Sequence, residues 1–118
     1  MGMSNRSALL VAYDSELLGP HARAFASAGF EVVRANSMSL ALGAVGPGNI
    51  GVLVFAPGIP PGDRRRVEAE ASRRNPHVCI ILLYEGGRER DVFASAILEA
   101  ATAPEQIVAL AADLLAAA

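Results

Sequence analysis

Few side chains in this sequence of 118 residues could carry covalent chemistry. All ten cations are arginine, so Schiff-base formation and a Walker-type phosphate lysine are closed. One cysteine, Cys79, excludes an intrachain disulfide and a multi-thiolate metal site. It sits inside the apolar run Val78-Cys79-Ile80-Ile81-Leu82, the setting of a buried, inert thiol rather than of a nucleophile. His21 falls on the apolar stripe of a predicted helix and His77 just ahead of a predicted strand; they lack metal-ligand spacing and have no partner in the sequence for acid–base work. Among the carboxylates, Asp14 is the one placed directly after an apolar run, with Glu16 and Glu99 as further candidates.

The charge balance narrows the classes of partner. Ten basic and twelve acidic residues give a formal charge of -2, so no strong field points at nucleic acid or anionic lipid. Arg64, Arg65 and Arg66 with Arg73 and Arg74 form a basic-looking segment, but Glu68 and Glu70 alternate with them at ion-pair spacing and no aromatic side chains interleave. A solvated helix face is the expectation, not a nucleic-acid surface. Gly43, Gly46 and Gly48 precede a predicted strand instead of a helix and so lack the amide geometry of a phosphate loop. No window approaches the roughly 18 apolar residues of a membrane span, and Ala8 to Ala12 is too short for a signal peptide. A soluble, cytoplasmic protein is expected, with residues 1–118 as one domain that buries roughly two thirds of its unfolded surface.

The elements that must position these residues follow from periodicity. Ala8 to Ala12, Ile50 to Phe55 and Val78 to Leu83 are continuously apolar, as strands buried on both faces are. Phe30 to Ala35 mixes polarity, with Glu31 and Arg34 able to stay in water, and reads as an edge strand. Ser95 to Leu98 is a short fifth strand. Helices are predicted from an Asp14 or Ser15 cap through Ala28, from an Asn36 or Ser37 cap over Met38 to Ala44, and from Asp63 to Arg74. Arg88 to Phe93 has room for two helical turns, and a final helix starts at the capping box Thr102-Ala103-Pro104-Glu105 and runs to about Ala117. Ala56 to Gly62, with three prolines and two glycines, is expected to be irregular. Arg64 with Glu68, Arg66 with Glu70 and Glu70 with Arg74 are each four apart and are expected to pair.

Strands and helices alternating five times define an α/β fold, a doubly wound five-stranded parallel sheet with helices on both faces. The flavodoxin-like order 2-1-3-4-5 fits best, because it makes the three fully apolar strands central. Ligands of such sheets bind beyond the carboxyl ends of the strands, where the order reverses. The residues expected there are Tyr13, Asp14 and Glu16, then Ala56, Pro57 and Gly58, then Leu82 to Glu85, and Glu99 to Ala101.

In this order the chain resembles the receiver domain of two-component response regulators over essentially its whole length. Leu9-Leu10-Val11-Ala12-Tyr13-Asp14 is similar to that family's first strand and acidic pair. Gly51 to Ala56 with Ile59 and Pro60 is similar to its third strand, phosphoacceptor and trailing proline, and Pro104-Glu105-Gln106-Ile107 to the start of its last helix. Ala35, Ala41 and Leu42 fall where the family has a similarly spaced alanine and Ala-Leu. The resemblance puts Ala56 at the phosphorylated aspartate and Tyr13 at the first metal-binding acid, leaving Asp14 as a vestigial ligand at most. It puts Leu82 or Leu83 at the Ser/Thr, and Ala100 at the lysine. It therefore implies a degenerate phosphoacceptor pocket (Tyr13, Asp14, Ala56, Leu82, Ala100), with no metal and no cofactor, in a pseudo-receiver that works through protein–protein contact in signal transduction. A small-ligand module binding a nucleotide or another anion at the same rim is the alternative; there Gly58, Gly86 and Gly87 would bring amides to the anion and Tyr13 or Tyr84 would stack on a ring.

The final helix offers a candidate interface. Ile107, Leu110, Ala111 and Leu114 form the stripe expected to face the sheet, and Val108, Ala112 and Leu115 a second stripe about 100° away. If exposed, Val108, Ala112 and Leu115 would favour a homodimer or an unknown protein partner.

Overall fold

The computed structural model describes residues 6–86 and 93–117. Along them run β1 (Ser7–Val11), α1 (Gly19–Ser27), β2 (Glu31–Ala35), α2 (Met38–Val45), β3 (Val52–Phe55), α3 (Pro61–Arg74), β4 (Cys79–Tyr84), β5 (Ala96–Glu99) and α4 (Pro104–Ala117). The five strands form one parallel sheet in the order β2-β1-β3-β4-β5, as the apolar runs require. Every residue of β1 and β3 is buried, whereas the edge strand β2 exposes Glu31, Val33 and Arg34. The expected turns at Arg88 to Phe93 lie, apart from Phe93, outside the described residues. No helix among the described residues is long and apolar enough to cross a membrane.

Strand alternation divides the core into two layers. Leu10, Val54 and Ile81 face α1 and α4, where Phe25, Ile107 and Ala111 close the layer. Leu9, Leu53 and Ile80 face α2 and α3, meeting Ala41, Val45, Val67 and Ala71. In the first layer the Phe25 and Phe30 rings meet edge to face, 5.0 Å between centroids.

Four local expectations are corrected. Helix α1 starts at Gly19, five residues after Asp14, with Pro20 in its first turn, where a missing amide is harmless. The chain reaches it through turns and enters with Leu18 in the left-handed region at φ 66°, a conformation that costs a non-glycine residue about 1–3 kcal/mol. Helix α3 begins at Pro61, so the end of the proline-rich segment is helical; proline suits a first helical position, and Asp63 complements the positive end of the helix dipole. At α4 the residue before the first helical one is Ala103, not Thr102, and its carbonyl accepts from the amides of Gln106 and Ile107.

The charged face of α3 is the fourth correction. Arg64 and Glu68 are not solvated: they lie 4.0 Å apart with their side chains 5% and 1% exposed. Glu70 accepts from Arg73 at 2.8 Å and Arg74 at 3.0 Å rather than from Arg66, and these two hydrogen bonds hold its carboxyl below the usual range. At α2 the cap is Ser37, whose Oγ accepts from the Leu40 amide.

Because Phe25 is fully buried and anchors α1 to the sheet, Phe25→Ala is expected to lower the unfolding free energy by about 3–5 kcal/mol, read from urea denaturation.

Candidate functional site

Parallel register brings the carboxyl ends of β1, β3, β4 and β5 to one rim. Val11 pairs with Phe55, and the Ala56 amide donates to the Val11 carbonyl at 2.9 Å, so Ala12 and Ala56 stand level just beyond the two strands. Both are buried and face the α1/α4 layer. At the centre of the rim the side chains are therefore two methyl groups, which can neither accept a phosphoryl group nor ligate a cation.

The nearby acids are engaged elsewhere. Asp14 is exposed, and its Oδ1 accepts from the Glu16 amide at 3.0 Å while its carbonyl accepts from Leu17, closing a turn instead of capping α1. The Tyr13 hydroxyl donates to Asp63 Oδ2 at 2.6 Å, bridging the end of β1 to the first turn of α3. Partial burial, then the hydrogen bond and the negative charge of Asp63, push the phenol up to about 12. Nothing in the sequence singled out Asp63 as a site residue, because its partner lies fifty positions away. Across the rim, the Arg34 guanidinium donates to the carbonyls of Ser15 at 2.7 Å and Leu17 at 2.8 Å, pinning the β1–α1 loop to the edge strand.

Behind this loop opens a cavity of about 500 Å³ between the start of α1, the β3–α3 loop, and the ends of β4 and β5. Leu17, Leu18, His21, Pro57, Gly58, Leu83, Tyr84, Glu85 and Ala100 line it. Of the expected pocket residues Ala100 and Leu83, the alternative to Leu82, do so; Tyr13, Asp14 and Ala56 lie outside its lining. Leu83 rather than Leu82 faces the cavity, because Leu82 points into the opposite layer toward α2 and α3. Glu99 lines a neighbouring groove with Glu85 instead. His21, on the apolar stripe of α1, lines the cavity together with the polar Tyr84 and Glu85; both of its ring nitrogens are buried without a hydrogen-bond partner, and desolvation lowers its pKa against a weaker opposing pull from Glu105.

Other candidates fall away from the rim. Cys79 opens β4 at the far end of the sheet, buried, its thiol pushed up by desolvation. On α4, Val108 is only 7% exposed and packs in the core with Ile107, while Ala112 and Leu115 are half-buried. Helix α1 lies against α4 and covers the second stripe expected to face a partner, so Val108 and Leu115 are not exposed together. Among the described residues no group of three or more His, Cys, Asp or Glu could hold a metal ion.

No protein-family model and no curated protein matches the sequence. Solved structures do. A CheY-like response-regulator receiver domain from Methanospirillum hungatei superposes with a TM-score of 0.78 at 18% identity over 94% of each chain. A response-regulator receiver protein from Sinorhizobium medicae gives 0.75 at 22% identity, again over 94% of each. The response regulator TrrA from Thermotoga maritima, solved with magnesium and beryllofluoride, gives 0.75 at 18% over 92% of this chain and 97% of that one. The fold is that of receiver domains.

Asp63→Asn removes the acceptor charge but not the burial, so the Tyr13 phenol is expected to titrate below its present value of about 12, followed by NMR of labelled tyrosine rings. Because the folded value is raised, the stability this group contributes is complete below pH 10 and is lost as pH rises toward 12.

Proposed function

We propose that residues 1–118 form a single receiver-like signalling domain that cannot be phosphorylated and acts through protein–protein contact. The observation that carries the reading is the pair of buried methyl groups, Ala12 and Ala56, level at the ends of β1 and β3. Aspartyl phosphorylation requires a carboxylate in line with the donor, a divalent cation on the phosphate oxygens, and a fixed positive charge for the product. Ala56 has no nucleophilic atom, Asp14 is held in a turn and Asp63 by Tyr13, and the chain has no lysine. What the domain then offers a partner is its shape and surface. Leu17 and Leu40, 42% and 56% exposed, face one groove of about 330 Å³ beside the edge strand β2. The lone thiol, buried and unpaired, suits a cytoplasmic setting.

Incubation with acetyl phosphate and magnesium is expected to leave the intact mass unchanged; a hydroxylamine-labile phosphoryl adduct would overturn the reading. Restoring one carboxylate is not enough. Ala56→Asp is expected to remain unphosphorylated and to lose about 3 kcal/mol of stability at neutral pH, because it buries an uncompensated charge. Burial raises that carboxyl's pKa, so the loss shrinks as the pH falls and the group becomes neutral, which denaturation at two pH values will show.

A further inference from the structure

We infer that the groove between α2 and α3 is a docking site for an acidic segment of a partner protein. Carboxylates of that segment meet Arg66 and Arg73 while one of its apolar side chains lies between Leu42 and Ala69. This rests on the reading of the domain as one that acts through protein contact, and it names the surface and the chemistry of the partner. The groove has a volume of about 420 Å³ and is lined by Leu42, Arg66, Ala69, Glu70 and Arg73, none of which borders the strand-end cavity.

Charge on α3 is divided between two faces. Turned inward, Arg64 and Glu68 are enclosed together. Turned outward, Arg65, Arg66, Arg73 and Arg74 are exposed against a single carboxylate, the half-buried Glu70. The remaining acid of the helix, Asp63, is occupied by Tyr13 in the first turn. Glu70 accepts from Arg73 at 2.8 Å and from Arg74 at 3.0 Å, and among the described residues Arg65 and Arg66 form no salt bridge. One carboxylate cannot neutralise four guanidinium groups, so this face is cationic on a chain whose formal charge is -2. Glu70 also holds Arg73 in place while leaving it donors for a second acceptor, which lowers the ordering cost of binding.

The facing wall has the opposite character. Helix α2 carries no charged residue and contributes Leu42, and the small side chain of Ala69 keeps the floor of the groove open. A cationic wall against an apolar one fits a segment that is itself acidic and amphipathic. The guanidinium fork binds carboxylates through paired hydrogen bonds, which a point charge does not do. Nucleic acid or an anionic bilayer would use the cations but not Leu42, and would meet repulsion from Glu70 inside the groove.

The probe is a synthetic amphipathic peptide of glutamate, alanine and leucine, its leucines on one helical face, titrated into the labelled full chain and followed by NMR. Saturable shifts are expected on the Leu42, Arg66, Ala69 and Arg73 amides, with affinity falling as salt is added. A peptide with glutamine in place of glutamate, and one of the same composition in scrambled order, are each expected to bind about tenfold more weakly. Arg66→Glu, at an exposed position with no salt bridge to lose, is expected to weaken binding by about tenfold or more. Ala69→Gln fills the groove without altering charge and is expected to weaken it by a similar factor. Arg23→Glu makes the same change of charge on α1 and is expected to leave the affinity as it is. The inference is overturned if these amides show no saturable shift, if either altered peptide binds as well as the first, if Arg66→Glu and Arg23→Glu act alike, or if Ala69→Gln binds unchanged. It is equally overturned if duplex DNA or phosphatidylserine vesicles move the same amides at lower concentration than the peptide. Peptide shifts centred on Leu17 and Leu40 would sink the assignment to this groove and leave the contact reading standing. A phosphoryl adduct would do the reverse, so the two readings fail separately.

Discussion

Burial of both faces of three adjacent parallel strands is the constraint on which the molecule depends. β1, β3 and β4 carry almost no polar side chain, so each face of the sheet must be covered by helices before the chain gains from folding. Parallel strands cannot be joined by tight turns, and the crossover helices supply that cover. The same geometry gathers the carboxyl ends of the strands along one edge of the sheet. Core and rim are thus consequences of one requirement, and the rim persists whatever side chains occupy it.

That independence explains how a sheet with the fold of receiver domains can carry the methyl groups of Ala12 and Ala56 at its rim. Small apolar side chains at strand ends extend the core by one residue and need no partners. Nearby polarity has been turned to structural ends: Asp14 closes a turn, and Asp63 accepts from Tyr13 across the β1–α3 gap. Where the last strand hands over to α4, Ala100 contributes only a methyl, and an open volume lies beside it.

Strand order and layering were legible in the sequence because they follow from hydrophobic periodicity, which Val52 to Phe55 or Cys79 to Tyr84 display without ambiguity. Helix entries were not. Asp14 and Ser15 have good cap chemistry, yet the chain turns there, because the left-handed Leu18 and then Pro20 set the start of α1. Burial of charge was also hidden: Arg64 and Glu68 have the spacing of a solvated pair, and only the docking of α3 shows them enclosed. The final helix misled for the same reason, since Val108 looks surplus to one apolar stripe until α1 is seen lying against it. At the rim, the small apolar side chains of Ala12, Ala56 and Ala100 could be read residue by residue. The Tyr13–Asp63 bridge and the isolation of His21 could not, because both depend on contacts distant in sequence.

One side chain gives the loop between β1 and α1 an unusual mechanical role. The guanidinium of Arg34 grips two carbonyls of the loop, those of Ser15 and Leu17, from the outermost strand of the sheet. Leu17 belongs to the linings of both the cavity behind the loop and the groove beside β2. The sheet margin is thereby tied through one rigid, planar cation to the loop that walls two chambers.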